Sequence, residues 1–184
     1  MGAMEADWEF EIGPDAPVID GVWDGYADLR KDPESASNLP ETEKLPELGT
    51  ALAQLNGYGS PVWTARCDVW TPDEFDADEM EAPQDSSNVA LASYIDLLLA
   101  ADEPWSRMDA VAEWCRRLCA RLRDIPLREC RVDLVVRSAF LTAERQGLGV
   151  TAYLQGCGTD AAAASRALSA ALGAFANAVC EAQS

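Results

Sequence analysis

CRVDLVVRSAF, residues 130–140, is the stretch from which the rest of the chain is read. It alternates with period two. Cys130, Val132, Leu134, Val136 and Phe140 fall on one side, and Arg131, Asp133 and Arg137 fall on the other. A strand with one face on a core and one face charged has this pattern. Two further apolar runs, around Asp68 and Asp96, carry acidic residues at comparable mid-strand positions. The pattern predicts one sheet, with its apolar face under helices and a charged face elsewhere.

Working outward, residues 148–155 form the second arm of an apparent hairpin that turns around Arg145-Gln146-Gly147. Before the central strand, Met108, Val111, Cys115, Leu118, Leu122 and Ile125 recur at spacings of three and four, which predicts a helix over residues 108–125. Ser106 suits its N-cap and Pro126 ends it. After the hairpin, Thr159 or Asp160 caps an alanine-rich helix to about Glu181, with Leu168, Leu172, Phe175 and Val179 as its stripe.

Residues 62–70 read as a strand with Trp63, Ala65, Cys67 and Val69 on one face and Thr64, Arg66, Asp68 and Trp70 on the other. Residues 89–99 read as a strand too, although their alanines and leucines also suit a helix. The second half is then strand, strand, helix, twice over. Each ββα unit carries Arg-x-Asp in a strand, Arg66-Cys67-Asp68 and Arg131-Val132-Asp133. The expected fold is α+β, a two-layer sandwich with a mainly antiparallel sheet and helices on one face.

The N-terminal part is less regular. Residues 7–12 alternate as a first strand, and residues 17–23 suggest a short second strand paired with it, Pro17 being confined to its start. Residues 24–44 are polar, hold Pro33 and Pro40, and suggest a mobile surface loop. A short helix follows over residues 45–55, marked by Leu48, Leu52 and Leu55. Residues 71–88 hold seven acids and two prolines and suggest a second mobile loop.

At 184 residues the chain suits a single domain, 1–184, around one core. Its longest apolar run contains Asp96 and is too short to span a bilayer. The first residues show neither a basic n-region nor an apolar h-region, so a cytoplasmic location is expected. The net charge is −18, distributed as −17 over residues 1–87 and −1 over residues 88–184. So acidic a chain repels nucleic acid and favours a basic protein partner.

The chain has no histidine, which removes Ser-His-Asp and Cys-His nucleophiles, histidine bases and His-ligated zinc. None of the six cysteines forms C-x-x-C. Cys115 and Cys119 continue an apolar helix stripe and read as core thiols. The acidic 71–88 segment lacks the calcium-loop ladder and its glycine, so it is not an EF-hand. Gly156-Cys157-Gly158-Thr159-Asp160 lacks both phosphate-binding glycine motifs and reads as a turn plus N-cap.

The remaining candidate is the charged sheet face. In a plausible register, Arg66, Asp68, Trp70, Tyr94, Asp96, Arg131, Asp133, Arg137, Tyr153 and Gln155 share one surface. The leading expectation is a non-catalytic binding protein, immunity-like or chaperone-like, without a cofactor. It would engage a basic protein through the acidic half or this face. The competing expectation is a cation-dependent hydrolase or transferase with Asp68, Asp96 and Asp133 as metal ligands. A homodimer through the sheet face is a third.

Overall fold

The structure, a computed structural model, describes residues 2–84, 87–101 and 105–181. Six strands form one open, mostly antiparallel sheet: β1 Glu5–Phe10, β2 Ile19–Asp20, β3 Val62–Trp70, β4 Val89–Leu99, β5 Cys130–Thr142 and β6 Arg145–Gly158. The helices are α1 Pro40–Lys44, α2 Pro46–Leu55, α3 Met108–Arg123 and α4 Ala161–Glu181. The strand order is β1-β5-β6-β4-β3, with β2 also on β5. The fold is α+β, and the second half runs ββαββα.

One face of the sheet carries the main core. Val132, Leu134 and Val136 of β5 meet Leu168, Leu172, Phe175 and Val179 of α4, all fully buried, together with Leu118 and Leu122 of α3 and Leu48 and Leu52 of α2. Burying a leucine or phenylalanine contributes roughly 1.5–3 kcal/mol, so this layer dominates folding. The Asp160 carboxylate accepts the Ala163 N–H at 2.8 Å and caps α4 as expected. At α3 the expected cap is absent: Arg107 holds the N-cap position and gives no side-chain hydrogen bond there.

Four local features differ from the sequence pattern. Residues 5–10 and 19–20 do not pair with each other. Both run parallel to β5 along the same edge, with Phe10 opposite Val136 and Ile19 opposite Ala139. The Gly13-Pro14 break therefore makes a jog, and the chain continues in the same direction. The β5–β6 turn falls at Ala143-Glu144, with Thr142 opposite Arg145, so both arms are longer than alternation alone indicates. Gly156 and Gly158 belong to β6 and not to a turn. A Cβ on Gly156 would sit 2.2 Å from the Leu168 backbone nitrogen, so the glycine lets α4 lie against the strand.

The fourth difference is a bulge in β3 between Thr64 and Cys67. It inverts the alternation, so Trp63 sits opposite Leu98 and Cys67 opposite Ile95. Trp63 and Ala65 therefore leave the main core. They join Ile19, Leu98, Ala139, Leu141 and the half-buried Tyr26 in a second cluster on the other face of the sheet. The face expected to be charged is thus apolar and covered at this end, and at the other end Met80 and Ala82 of the acidic segment bury Ala90 and Cys157, which leaves only its middle open.

The two expected loops are also more structured than their composition indicates. Residues 24–44 contain a 3₁₀ helix, Pro33–Asn38, and α1, with Ala36 and Thr42 buried. The described residues of 71–88 form no helix or strand. Met80 and Ala82 are nevertheless buried, and the Met80 carbonyl accepts the Glu129 N–H at 2.9 Å.

Candidate functional site

The uncovered part of the second face is built by register. One row crosses four strands as Asp68, Tyr94, Tyr153, Asp133, and Asp7 of β1 extends it. The next row reads Trp70, Ala92, Gln155, Arg131, Glu5. A third brings Asp96, Thr151, Val135 and Glu9 together. Sequence alternation had grouped most of these residues. It missed Glu5, Asp7 and Glu9, because the pairing of β1 with β5 leaves no local signature.

Arginines on this face are already committed to carboxylates. Arg131 makes a bidentate pair with Asp133, at 2.6 and 2.8 Å, and a second ion pair with Glu79 of the acidic segment. Arg137 donates to Glu11 at 3.0 Å through Nε, and to Thr151 Oγ1 and Tyr153 Oη at 3.1 and 3.0 Å. Arg66, displaced by the bulge, reaches Asp20 at 3.5 Å and lies 5.2 Å from the Trp23 ring centre.

Asp96 is only 7% exposed. The Thr151 hydroxyl donates to its Oδ1 at 2.6 Å. Burial raises its carboxyl above the ordinary range, while the Thr151 bond and the Arg137 and Arg66 charges oppose that shift. The Tyr94 hydroxyl is also raised, chiefly by burial, with Asp96 and Asp68 adding to the effect. Asp68 is exposed and accepts the neighbouring Val69 N–H at 2.7 Å.

Trp70, Tyr94 and Tyr153 form an aromatic cluster at the centre, with ring centres 6.2–6.5 Å apart. Tilted and edge-on contacts at this distance are favourable and hold the rings as a platform. To one side of Asp68 and Tyr94 lies a cleft of about 310 Å³, also lined by Trp23, Tyr26, Glu41 and Arg66. A shallower depression of about 510 Å³ covers Asp7, Glu9, Arg131, Asp133 and Arg137.

The register separates Asp133 from Asp68 and Asp96, the other two aspartates expected to hold a cation. Asp68 and Asp133 stand three strand spacings apart, roughly 14 Å, with two tyrosines between them. Among the described residues no three histidine, cysteine, aspartate or glutamate side chains converge to hold a metal ion. Asp133 is bound instead by Arg131.

The cysteines show no activation either. All six are free. Burial pushes the Cys115 and Cys130 thiols up to about 12 and those of Cys119 and Cys157 to about 11. Thiols raised in this way are poor nucleophiles. No helix among the described residues is long and apolar enough to cross a membrane. Comparison with family models, curated proteins and solved structures found no match to this chain.

Proposed function

We propose that the protein is a non-catalytic binding protein of the cytoplasm that docks a basic protein on the open part of its sheet face. The observation that carries this reading is the state of the arginines. Arg66, Arg131 and Arg137 are each bound to a carboxylate of the same chain. Asp68 stands beside the aromatic platform, and Glu5 and Glu9 lie at the β1 edge of the same face; none of these three acids has an ion pair among the described residues. The face therefore presents surplus negative charge beside half-buried rings. Charge steers a basic partner to it, and the rings supply contact area. A second copy is a poor occupant, because each copy carries −18.

Charge removal at equal dose provides the test. One variant neutralises the face, with Glu5→Gln, Glu9→Gln and Asp68→Asn. The other neutralises three helix-side acids, with Glu34→Gln, Glu43→Gln and Glu47→Gln. Both are titrated calorimetrically with an arginine-glycine repeat peptide at near-physiological salt. The reading expects loss of binding in the first and retention in the second. Equal losses mean that the acidity acts without a defined surface, and the docking reading fails.

A further inference from the structure

Exchanging the two ββα units in the register places Tyr94 on Tyr153, Asp68 on Asp133 and Arg66 on Arg131. The row Asp68–Tyr94–Tyr153–Asp133 therefore reads the same from either end. Its two halves are filled differently. On the β5 side, Arg131 grips Asp133 with two hydrogen bonds, and Arg137 lies 5.5 Å from the Tyr153 ring centre. On the β3 side, beside the bulge, Arg66 pairs with Asp20 and lies by Trp23 instead of gripping Asp68, although it lines the same cleft as Asp68 and Tyr94. Among the described residues no cation pairs with Asp68, and no arginine lies over Trp70 or Tyr94.

Among the described residues, each arginine that lies over a ring also binds a carboxylate through the same guanidinium. Arg30 lies 4.0 Å from the Trp63 ring centre and holds Asp28 at 2.7 and 3.0 Å. Arg116 lies over Trp8 and pairs with Glu113, and Arg66 and Arg137 follow the same pattern. The physical reason is additive. The ring face attracts the cation electrostatically, and the carboxylate takes the planar guanidinium by charge-assisted hydrogen bonds.

We infer that Asp68, Trp70 and Tyr94 form a seat for an arginine side chain of the partner, which takes beside Asp68 the place that Arg131 holds beside Asp133, Arg66 being paired with Asp20. This inference rests on the docking reading above and specifies its chemistry. The guanidinium stacks on the Trp70–Tyr94 surface and engages the Asp68 carboxylate. The adjoining cleft, with Glu41 in its lining, leaves room for the residue beside the seated arginine. Lysine fits less well, because an ammonium neither stacks as a plane nor bridges a carboxylate.

The full chain is titrated with an arginine-glycine repeat peptide and with a lysine-glycine peptide of equal length and charge. Wild type, Asp68→Asn, Trp70→Ala, Trp70→Phe and the surface control Glu47→Gln are compared, each checked by its denaturation midpoint. The arginine peptide is expected to bind about fivefold more tightly than the lysine peptide, with Asp68→Asn and Trp70→Ala each losing about tenfold. Trp70→Phe keeps most of the affinity and Glu47→Gln keeps all of it. If both peptides bind equally and Asp68→Asn and Trp70→Ala have no effect, the seat is refuted while docking on the face stands. If neither peptide binds wild type, the docking reading falls and the seat with it. If light scattering shows a dimer that Trp70→Ala converts to monomer, a second copy is the occupant and the proposal is overturned.

Discussion

Replacing Gly156 with alanine tests how the sheet and its largest helix are held together. The added Cβ would sit 2.2 Å from the Leu168 backbone nitrogen, 2.7 Å from Leu168 Cα and 2.8 Å from the Ala164 carbonyl oxygen. All three obstacles are helix backbone, so no side-chain rotation relieves them, and α4 must withdraw by about 1 Å from β6. That displacement loosens the packing of Leu168, Leu172 and Phe175, each fully buried. Overpacking costs about 1–3 kcal/mol when side chains can adjust, and the backbone clash puts Gly156→Ala at about 3 kcal/mol. Urea denaturation reads it as a midpoint lowered by about 1.5 M with the slope unchanged. Gly173 is the internal control, since it is exposed on the same helix and a Cβ there meets nothing within 4 Å. Gly173→Ala is expected to stabilise by roughly 0.5–1 kcal/mol through helix propensity. A Gly156→Ala variant within about 0.5 kcal/mol of wild type would refute the close-approach reasoning.

Two further outcomes follow from buried polar groups. Asn56 is 4% exposed, donates to the Leu52 carbonyl and to Thr64 Oγ1 at 2.8 Å each, and accepts the Thr64 N–H at 3.0 Å. Asn56→Ala leaves the Thr64 N–H without this acceptor and is expected to cost about 2–3 kcal/mol, read by urea denaturation, with a loss under about 1 kcal/mol counting against it. Asp96 has a carboxyl raised by burial, so the folded state holds its proton more tightly than the unfolded chain does. Its contribution to stability is therefore greatest at low pH and is lost as pH rises through the folded value. Asp96→Asn keeps an acceptor for Thr151, so it should gain stability over wild type at pH 7 and lose that advantage toward pH 4. A difference that does not change with pH would contradict the assignment.

The sheet, the two long helices and the open face were legible because each rests on a local period. Cys130 to Val136 alternate in one phase, and the stripes of α3 and α4 recur at helical spacing. What was hidden depends on distant partners. The direction of β1 and β2 is set by which edge of β5 is free, and neither Gly13 nor Pro14 reports that. The β3 bulge puts Trp63 on the second face without interrupting an apolar–polar pattern that looks continuous. The acidic segment carried no periodic signal, so the ion pair of Glu79 with Arg131 and the burial of Met80 came from the structure alone. Of the candidate site, the row containing Asp133 and Tyr153 was readable, whereas the separation of Asp68 from Asp133 required the strand order.

The six tryptophans report directly on whether a basic partner docks on the open sheet face. Trp70 lies on that face, Trp105 and Trp114 pack against each other by the main core, and Trp8 sits under Arg116 at the β1 edge. Their indole N–H signals are followed by NMR while an arginine-glycine repeat peptide is added at near-physiological salt. Docking on this face moves the Trp70 signal first and furthest and leaves those of Trp105 and Trp114 in place. Uniform small shifts, or movement led by any tryptophan off this face, would contradict it.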